Sequence, residues 1–218
     1  MKKLVSLLLV VFMCASLGVV LTSCGASDPK TTVSAEEFAA AFNLDDNWEF
    51  VFEAENSAQQ QKIQMTYKRD GNKFVATQTV LSTVDNSELF SYEQYGEIAD
   101  NVFYMYWYDS EAEAYAKEAS EDSVEECIAD FVSEVLPDFL KDYSKFTYSE
   151  ENKNYVAESL VQGEGEYATT LNNVTLAFED GKIVSMGYSV DMGGATIPYV
   201  ATIAYGDASV TLPTVAAE

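Results

Sequence analysis

Cys24 is the residue whose surroundings point most clearly to a chemical reaction. It follows an uncharged apolar run over residues 4–21 and the small pair Thr22 and Ser23, and it precedes Gly25. Two lysines stand before the apolar run, and this order of positive and apolar segments is typical of an export signal. The thiol is a nucleophile that can be alkylated, and small neighbours give a peptidase access to the adjacent bond. The pattern therefore predicts an export signal that ends just before Cys24, whose thiol is a candidate nucleophile.

The segment Leu21-Thr22-Ser23-Cys24, followed by Gly25, resembles the lipobox of bacterial lipoproteins. The resemblance implies that a diacylglyceryl group of the palmitate type is joined to the Cys24 sulfur and that the signal, residues 1–23, is removed. Residues 24–33 would then anchor and tether the protein on the extracytoplasmic side of the cell membrane. Two acyl chains hold a protein firmly, because each buried methylene contributes about 0.8 kcal/mol. The alternatives are an uncleaved membrane span and an ordinary secretory signal with a chance cysteine.

The chain is strongly acidic, with 12 Lys and Arg against 36 Asp and Glu and a net charge of −24. Loss of the signal removes two lysines and no acid, so 10 basic and 36 acidic residues would remain, a net charge of −26. Such a surface repels phosphates, which excludes nucleic-acid binding as the main role. Of the three cysteines, only Cys127 would stay unmodified in the domain, because Cys14 leaves with the signal. No intramolecular disulfide can then form.

Patterns of catalytic residues are scarce. Histidine is absent, which removes the usual general base, the usual triad partner and the commonest transition-metal ligand. The sequence contains no G-x-S-x-G, P-loop, dinucleotide fingerprint or Cys-x-x-Cys. The acidic clusters at 45–47 and 121–126 lack EF-hand spacing and are interpreted as solvated surface. We expect no catalytic residue, metal or cofactor, and a glycosidase-like pair of carboxylates is the alternative.

Hydrophobic periodicity predicts one α+β domain over residues 34–218. The expected fold is a single antiparallel sheet of about 10–11 strands packed on one or two helices. Ser34 with Glu37, and Ser123 with Glu126, form capping boxes that open two helices. Apolar and polar residues alternate through the rest of the domain, and glycine-containing pairs mark hairpin turns at 70–71, 180–181 and 193–194.

The second helix carries an apolar stripe from Cys127 to Leu140 at three- and four-residue steps. Pro137 lies inside this stripe and has no N–H to donate, so we expect a kink or break near Leu136. Cys127 is interpreted as a buried small hydrophobe rather than a nucleophile, because it lies on the apolar face. The stretch from Ser110 to Ala119 is rich in Ala and Glu and predicts a further short, exposed helix.

The strand from Val102 to Tyr108 is apolar or aromatic on both faces. This pattern is typical of a central strand covered on both sides. It also suits a strand with one face lining a cavity, where rings give wide contact area and tyrosine hydroxyls fix a polar end. The residues that would line such a cavity, between the sheet and the second helix, are Tyr104, Tyr106, Tyr108, Phe131, Val135 and Phe139.

The order of elements behind a lipobox resembles that of periplasmic lipoprotein carriers and mycobacterial lipid-carrier lipoproteins, in which a half-barrel sheet wraps helices around a lipid-binding hollow. The resemblance covers the architecture, and no ligand residue is carried over. It implies that the sheet is curved and half-barrel-like, and that the protein is membrane-anchored and binds or carries a lipid or a small amphiphile. The segments 205–207 and 210–213 (Tyr-Gly-Asp and Val-Thr-Leu-Pro) also resemble the C-terminal ends of uncharacterised lipoproteins of Gram-positive gut bacteria, a family that implies no activity.

The alternative function is a cell-surface interaction module that binds a protein, peptide or glycan. A carrier predicts an internal hollow and lipid that co-purifies with the chain. A module predicts a solid core and an exposed aromatic patch.

Cys24→Ser is expected to abolish maturation and membrane retention, because a serine hydroxyl does not replace the thiol as nucleophile. Membrane fractionation and metabolic palmitate labelling in the native host measure both effects. Cys14→Ser, inside the apolar run, is the matched control and should change neither. Retention of the Cys24→Ser chain at the membrane would contradict the lipobox interpretation.

Overall fold

The computed structural model describes residues 33–57, 59–110, 112–163, 168–192 and 195–215. The export signal, Cys24, most of the tether and the predicted turn at 193–194 lie outside the described residues. The described part of the chain forms two α-helices, two 3-10 segments and eleven strands. Their bounds are α1 Ala35–Ala40, β1 Asn47–Asn56, β2 Gln61–Asp70, β3 Lys73–Ser82, β4 Glu88–Ala99, β5 Val102–Asp109, β6 Ala114–Ala119, α2 Val124–Val135, the 3-10 segments Asp138–Lys141 and Tyr143–Lys145, β7 Thr147–Ser149, β8 Asn154–Gln162, β9 Thr169–Glu179, β10 Lys182–Met192 and β11 Ala195–Tyr205.

All these strands belong to one antiparallel sheet that does not close. Its order is β6-β5-β4-β3-β2-β1-β11-β10-β9-β8-β7. Two meanders, β1 to β6 and β7 to β11, therefore meet where the first strand pairs with the last. In that central pairing Trp48 lies opposite Tyr205 and Ala54 opposite Tyr199. The predicted α+β class, a single antiparallel sheet with one or two helices, is confirmed.

Left-handed residues make the tight turns between strands. Asp180 and Gly181 have φ angles of 49° and 77°, which are typical of a type I′ hairpin turn. Asp100 and Asn101 make a similar turn between β4 and β5, with φ angles of 51° and 60°. Asp and Asn adopt this conformation more readily than other residues with a Cβ. Both predicted Asp-Gly turns are confirmed.

Capping boxes open both helices, as predicted. In α1 the Glu37 N–H donates to the Ser34 hydroxyl oxygen at 3.2 Å, and the Ser34 N–H donates to the Glu37 carboxylate at 2.8 Å. The corresponding pair at the start of α2 makes the same two bonds. α2 ends at Val135, and a 3-10 segment follows Pro137. The predicted break near Leu136 is confirmed, because proline offers no N–H to continue the helix.

The stretch from Ser110 to Ala119 contains a strand, and the prediction of a short helix there is wrong. Its second part is β6, in which Tyr115 lies opposite Tyr108 of β5 and Lys117 lies opposite Tyr106. The prediction depended on the helix propensity of Ala and Glu, which is a weak preference that tertiary contacts override. Here the cross-strand pairs with two tyrosines decide the conformation.

The core lies on the face of the sheet that carries Trp48, Phe50 and Phe74, which we call the helix face. Phe38 of α1 is fully buried against this side of the sheet. Its ring lies 5.2 to 5.5 Å, between centroids, from the rings of Phe42, Tyr143, Phe146, Tyr155 and Phe178. One aromatic side chain therefore joins α1, the second 3-10 segment and the β8–β9 pair.

The opposite face carries Tyr95 and Tyr106, and we call it the tyrosine face. Asn47 points to this side and holds the segment after β11. The Ala208 N–H donates to the Asn47 side-chain oxygen at 2.8 Å, and the Asn47 amide donates to the Ala208 carbonyl at 2.9 Å. The segment continues to Val215, which forms a parallel bridge with β6. The C-terminal segment thus links the centre of the sheet to its outermost strand.

Phe38→Ala is expected to lower the free energy of unfolding by about 3–5 kcal/mol, because it leaves a cavity among five rings. Urea unfolding followed by tyrosine and tryptophan fluorescence measures the change. Phe90→Ala is the matched control, since Phe90 is 49% exposed, and its effect should stay within about 0.5 kcal/mol. Similar losses for the two variants would contradict this description of the core.

Candidate functional site

Phe131, Val135 and Phe139 belong to the packed core between α2 and the helix face. Val135 is fully buried, and the other two are half-buried against the core. The Phe131 ring meets three aromatic rings of β1, β2 and β3 at centroid distances of 5.2 to 5.8 Å. Side chains therefore fill the space beneath this part of α2.

Tyr104, Tyr106 and Tyr108 lie on the other side of the sheet. Their neighbour Phe103 contacts Phe74 on the helix face at a centroid distance of 5.4 Å. Because side chains alternate along a strand, these three tyrosines point to the tyrosine face. β5 is the second strand from the edge, between β4 and β6, and it carries buried residues on both faces, Phe103 and Tyr106. The sheet itself separates the six candidate lining residues into two groups of three.

Cys127 is half-buried rather than fully buried, and its thiol lies 3.3 Å from the Ser120 hydroxyl oxygen. It lies near the start of α2. Within the described ranges no three His, Cys, Asp or Glu side chains come close enough to hold a metal ion. Cys127 therefore has a hydrogen-bonded thiol, but among the described residues it is not part of a group of metal ligands.

The structure shows a cleft where β4 and β5 separate. β4 pairs with β3 along nearly its whole length, from Glu88 to Glu97. Its pairing with β5 covers only Tyr95 to Ala99, opposite Tyr106 to Val102. β5 continues beyond Tyr106 paired with β6 alone. The first half of β4 therefore has one bare edge, and the β5–β6 hairpin diverges from it.

The cleft has a volume of about 360 Å³ and is predominantly aromatic. Within it the Tyr115 ring meets Tyr108 and Tyr95 edge to face, at centroid distances of 5.5 and 5.7 Å. Tyr108 is 53% exposed, so these rings remain accessible to another molecule. The residues that line the cleft are Ser91, Tyr92, Glu93, Tyr108 and Tyr115.

Glu93 gives the cleft its charge. Its carboxylate accepts a hydrogen bond from the Tyr95 hydroxyl at 2.7 Å. Burial raises the pKa of Tyr115, and the negative charge of Glu93 raises it further. No Lys or Arg among the described residues forms an ion pair with Glu93. The cleft therefore presents a carboxylate beside tyrosine rings and lacks a cation of its own.

Where β4 and β5 are paired, at one end of the cleft, a hydrogen-bonded group holds β4, β5 and β6 together. Glu97 accepts a bond from the Tyr106 hydroxyl at 2.6 Å and one from Lys117 at 2.7 Å. The bond from Lys117, and then that from Tyr106, hold the pKa of Glu97 below its ordinary value. The Lys117 ammonium also lies 4.3 Å from the centre of the Tyr104 ring. This group therefore closes the end of the cleft at which β4 and β5 begin to pair.

Gly96 allows β5 to pack closely against β4 at the same end. A Cβ at this position would lie 2.6 Å from Cζ of Phe103 and 3.1 Å from Cε1. Real Cβ atoms do not approach so closely, and the ring therefore lies where a side chain would otherwise be. The absence of a Cβ at Gly96 sets how tightly the paired part of β4 and β5 can pack.

Sequence reasoning found Tyr108 but missed the β4 and β6 residues of the cleft. The available signal was the adjacent apolar pair Leu89 and Phe90 in a polar stretch. Neighbours along a strand face opposite sides of the sheet. A strand with a solvated face rarely carries large apolar side chains on both sides. These side chains are 53% and 49% exposed. The pairing that ends at Tyr95 depends on tertiary structure and leaves no local pattern.

The chain matches no protein-family model, and no curated protein matches its sequence. In the part of the chain that the structure describes, no helix has the length and apolar character needed to cross a membrane.

Gly96→Ala is expected to destabilise the domain by about 1–3 kcal/mol, because the added methyl group overlaps the Phe103 ring. Chemical denaturation measures the loss. In a Phe103→Leu background the same glycine substitution should cost clearly less, since the ring is gone, and this coupling is the control. Equal costs in the two backgrounds would show that Phe103 does not pack against Gly96.

Proposed function

We propose that the chain is a lipid-anchored, extracytoplasmic interaction module whose β4/β5 cleft binds a protein or peptide partner. The observation that carries this proposal is the cleft, in which the bare edge of β4 meets accessible aromatic rings. Membrane attachment through Cys24 comes from the sequence, because Cys24 lies outside the described residues.

The side chains exposed around the cleft support contact with another molecule. Leu89 and Tyr108 are each 53% exposed, Phe90 is 49% exposed and Tyr92 is 36% exposed. Neighbouring residues of a strand face opposite sides of the sheet, so these exposed side chains flank the bare edge of β4 on both faces. Tyrosine and phenylalanine are also enriched at protein interfaces. The four side chains belong to β4 and β5, the strands that form the cleft.

Packing beneath α2 favours the module over the carrier. A carrier of an apolar ligand needs space between α2 and the sheet, where Phe131 already contacts three rings. Val135 and Leu136 show no exposed surface, and Leu140 is 1% exposed. A ligand placed there would have to displace close-packed side chains, which costs several kcal/mol of lost contacts. The surface cleft can be filled without such a change.

A photoreactive benzophenone amino acid in place of Leu89 should give one discrete cross-linked protein product in native-host cells. Leu89 is exposed and lies two residues before the cleft residue Ser91. The same amino acid in place of Val161 is the control, because Val161 is 58% exposed on β8 in the other half of the sheet. Gel mobility and mass spectrometry identify the product.

Equal labelling at the two positions, or no product at either, would count against the proposal. A cross-link from Leu89 to lipid alone would favour the carrier.

A further inference from the structure

The bare edge of β4 presents backbone groups that can pair with another strand. N–H and C=O groups alternate between the two edges of a strand, and the Ile98 N–H donates to Asn72 on the β3 side at 2.8 Å. Ser91 and Glu93 stand an odd number of residues from Ile98 in an unbroken register with β3. Their N–H and C=O groups therefore point away from β3, into the cleft.

Two common protections against strand addition, lysine and proline, are absent from this edge. Proteins commonly protect an edge strand with lysine, proline or a covering segment. The stretch Glu88–Gln94 contains no lysine and no proline. No strand among the described residues pairs with the cleft side of this stretch. The only charges in the stretch are the two carboxylates of Glu88 and Glu93.

Charge decides which kind of strand can pair here. The chain carries a net charge of −24, so a second copy would bring the same acidic edge to the cleft and be repelled. Glu88 begins β4, Asp85 stands in the turn before it, and Glu113 stands in the turn before β6. The nearby Lys117 is already paired with Glu97. The acidic surroundings favour a partner that supplies positive charge.

Tyrosine rings next to Glu93 suit the same kind of partner. Lysine and arginine bind the faces of aromatic rings, and the attraction adds to that of a nearby carboxylate. The chain makes this contact itself on the tyrosine face, where Lys117 lies 4.3 Å from the centre of the Tyr104 ring. Tyr108 and Tyr115 offer comparable rings inside the cleft, but no cation of the chain lies over either of them among the described residues.

We propose that the occupant of the cleft is a basic, extended segment of a partner protein, which adds as an antiparallel strand to β4. This inference rests on the proposed function and names the partner's chemistry. Residues opposite each other on antiparallel strands point to the same face. Segment residues that pair with Ser91 and Glu93 therefore point to the tyrosine face, where lysine or arginine meets the Glu93 carboxylate and the Tyr115 ring.

The test uses the full-length lipid-bearing chain in nonionic detergent micelles and a fluorescein-labelled peptide, Val-Lys-Val-Lys-Val-Lys-Val. Fluorescence anisotropy should report saturable binding that weakens as salt is raised, because salt screens charge. The same peptide with glutamate in place of lysine should not bind. Binding of both peptides alike would overturn the basic character of the partner.

N-methylation of the peptide tests the strand pairing itself. In the proposed register the lysine N–H groups point to β4, so methylating the amide nitrogens of the central lysine and one neighbouring lysine should weaken binding at least tenfold. Methylating two valine amides, which point away from β4, is the matched control and should change binding little. Equal effects of the two modifications would overturn strand addition.

Two variants of the chain locate the contact. Glu93→Gln and Tyr108→Ala should each weaken binding about two- to fivefold, the range expected for an exposed ion pair or ring contact. The controls Glu158→Gln and Val161→Ala alter exposed residues of β8, and neither should change the affinity. Equal losses for Glu93→Gln and Glu158→Gln, with no loss for Tyr108→Ala, would show that the peptide binds through overall charge and would overturn the site.

Other outcomes separate this inference from the proposed function. In one outcome, tetramethylammonium chloride added at the same concentration of positive charge as the peptide displaces it, and N-methylation has no effect. The cleft then takes small cations, and the strand proposal is wrong. If no peptide binds while a benzophenone at Leu89 still cross-links a protein, the partner is not basic and extended, and the proposed function stands. Failure of both experiments would remove both proposals.

Discussion

The pairing of β1 with β11 is the interaction on which the rest of the structure depends. It joins the two meanders into one sheet, and it brings together residues as distant along the chain as Trp48 and Tyr205. Contacts of such long range are slow to form, because the loop entropy must be overcome before the pairing stabilises anything. The fully buried Trp48 lies in this pairing and contacts Phe131 of α2. Helix packing and strand pairing therefore stabilise the same central residues.

An open sheet ends at two edge strands, here β6 and β7, and the first half of β4 adds a further exposed edge inside the sheet. β6 is tied down by the Lys117–Glu97 ion pair at 2.7 Å and by the bridge from Val215. The first half of β4 has no such attachment on its cleft side within the described part of the chain. The cleft lies between these two regions. The cleft exists because β5 remains paired with β6 but not with β4 beyond Tyr106. At its closed end, Gly96 permits close packing of β4 and β5.

Local signals in the sequence predicted much of the fold. The capping residues Ser34 and Ser123, the Asp-Gly turns and the break at Pro137 depend on neighbouring residues only, and the structure confirms them. β6 was mispredicted because the propensity of Ala and Glu is weak compared with pairing to β5. The face of Tyr104 to Tyr108 could not be predicted, because both faces of that strand are apolar and the position of α2 decides which one it covers. The cleft depends on where a pairing stops, which no short pattern records.

Acidity and the bare strand edge explain each other. An exposed strand edge invites pairing with any extended chain, including a second copy of the same protein. The bare half of β4 carries only two carboxylates, and these alone would not prevent such pairing. A net charge of −24 acts over the whole molecule and opposes approach of an identical copy. The same charge attracts a basic segment from a distance, and the tyrosine rings and Glu93 then act at contact range. A strongly acidic domain can therefore keep an open edge without pairing to itself, and that edge discriminates among partners by their charge.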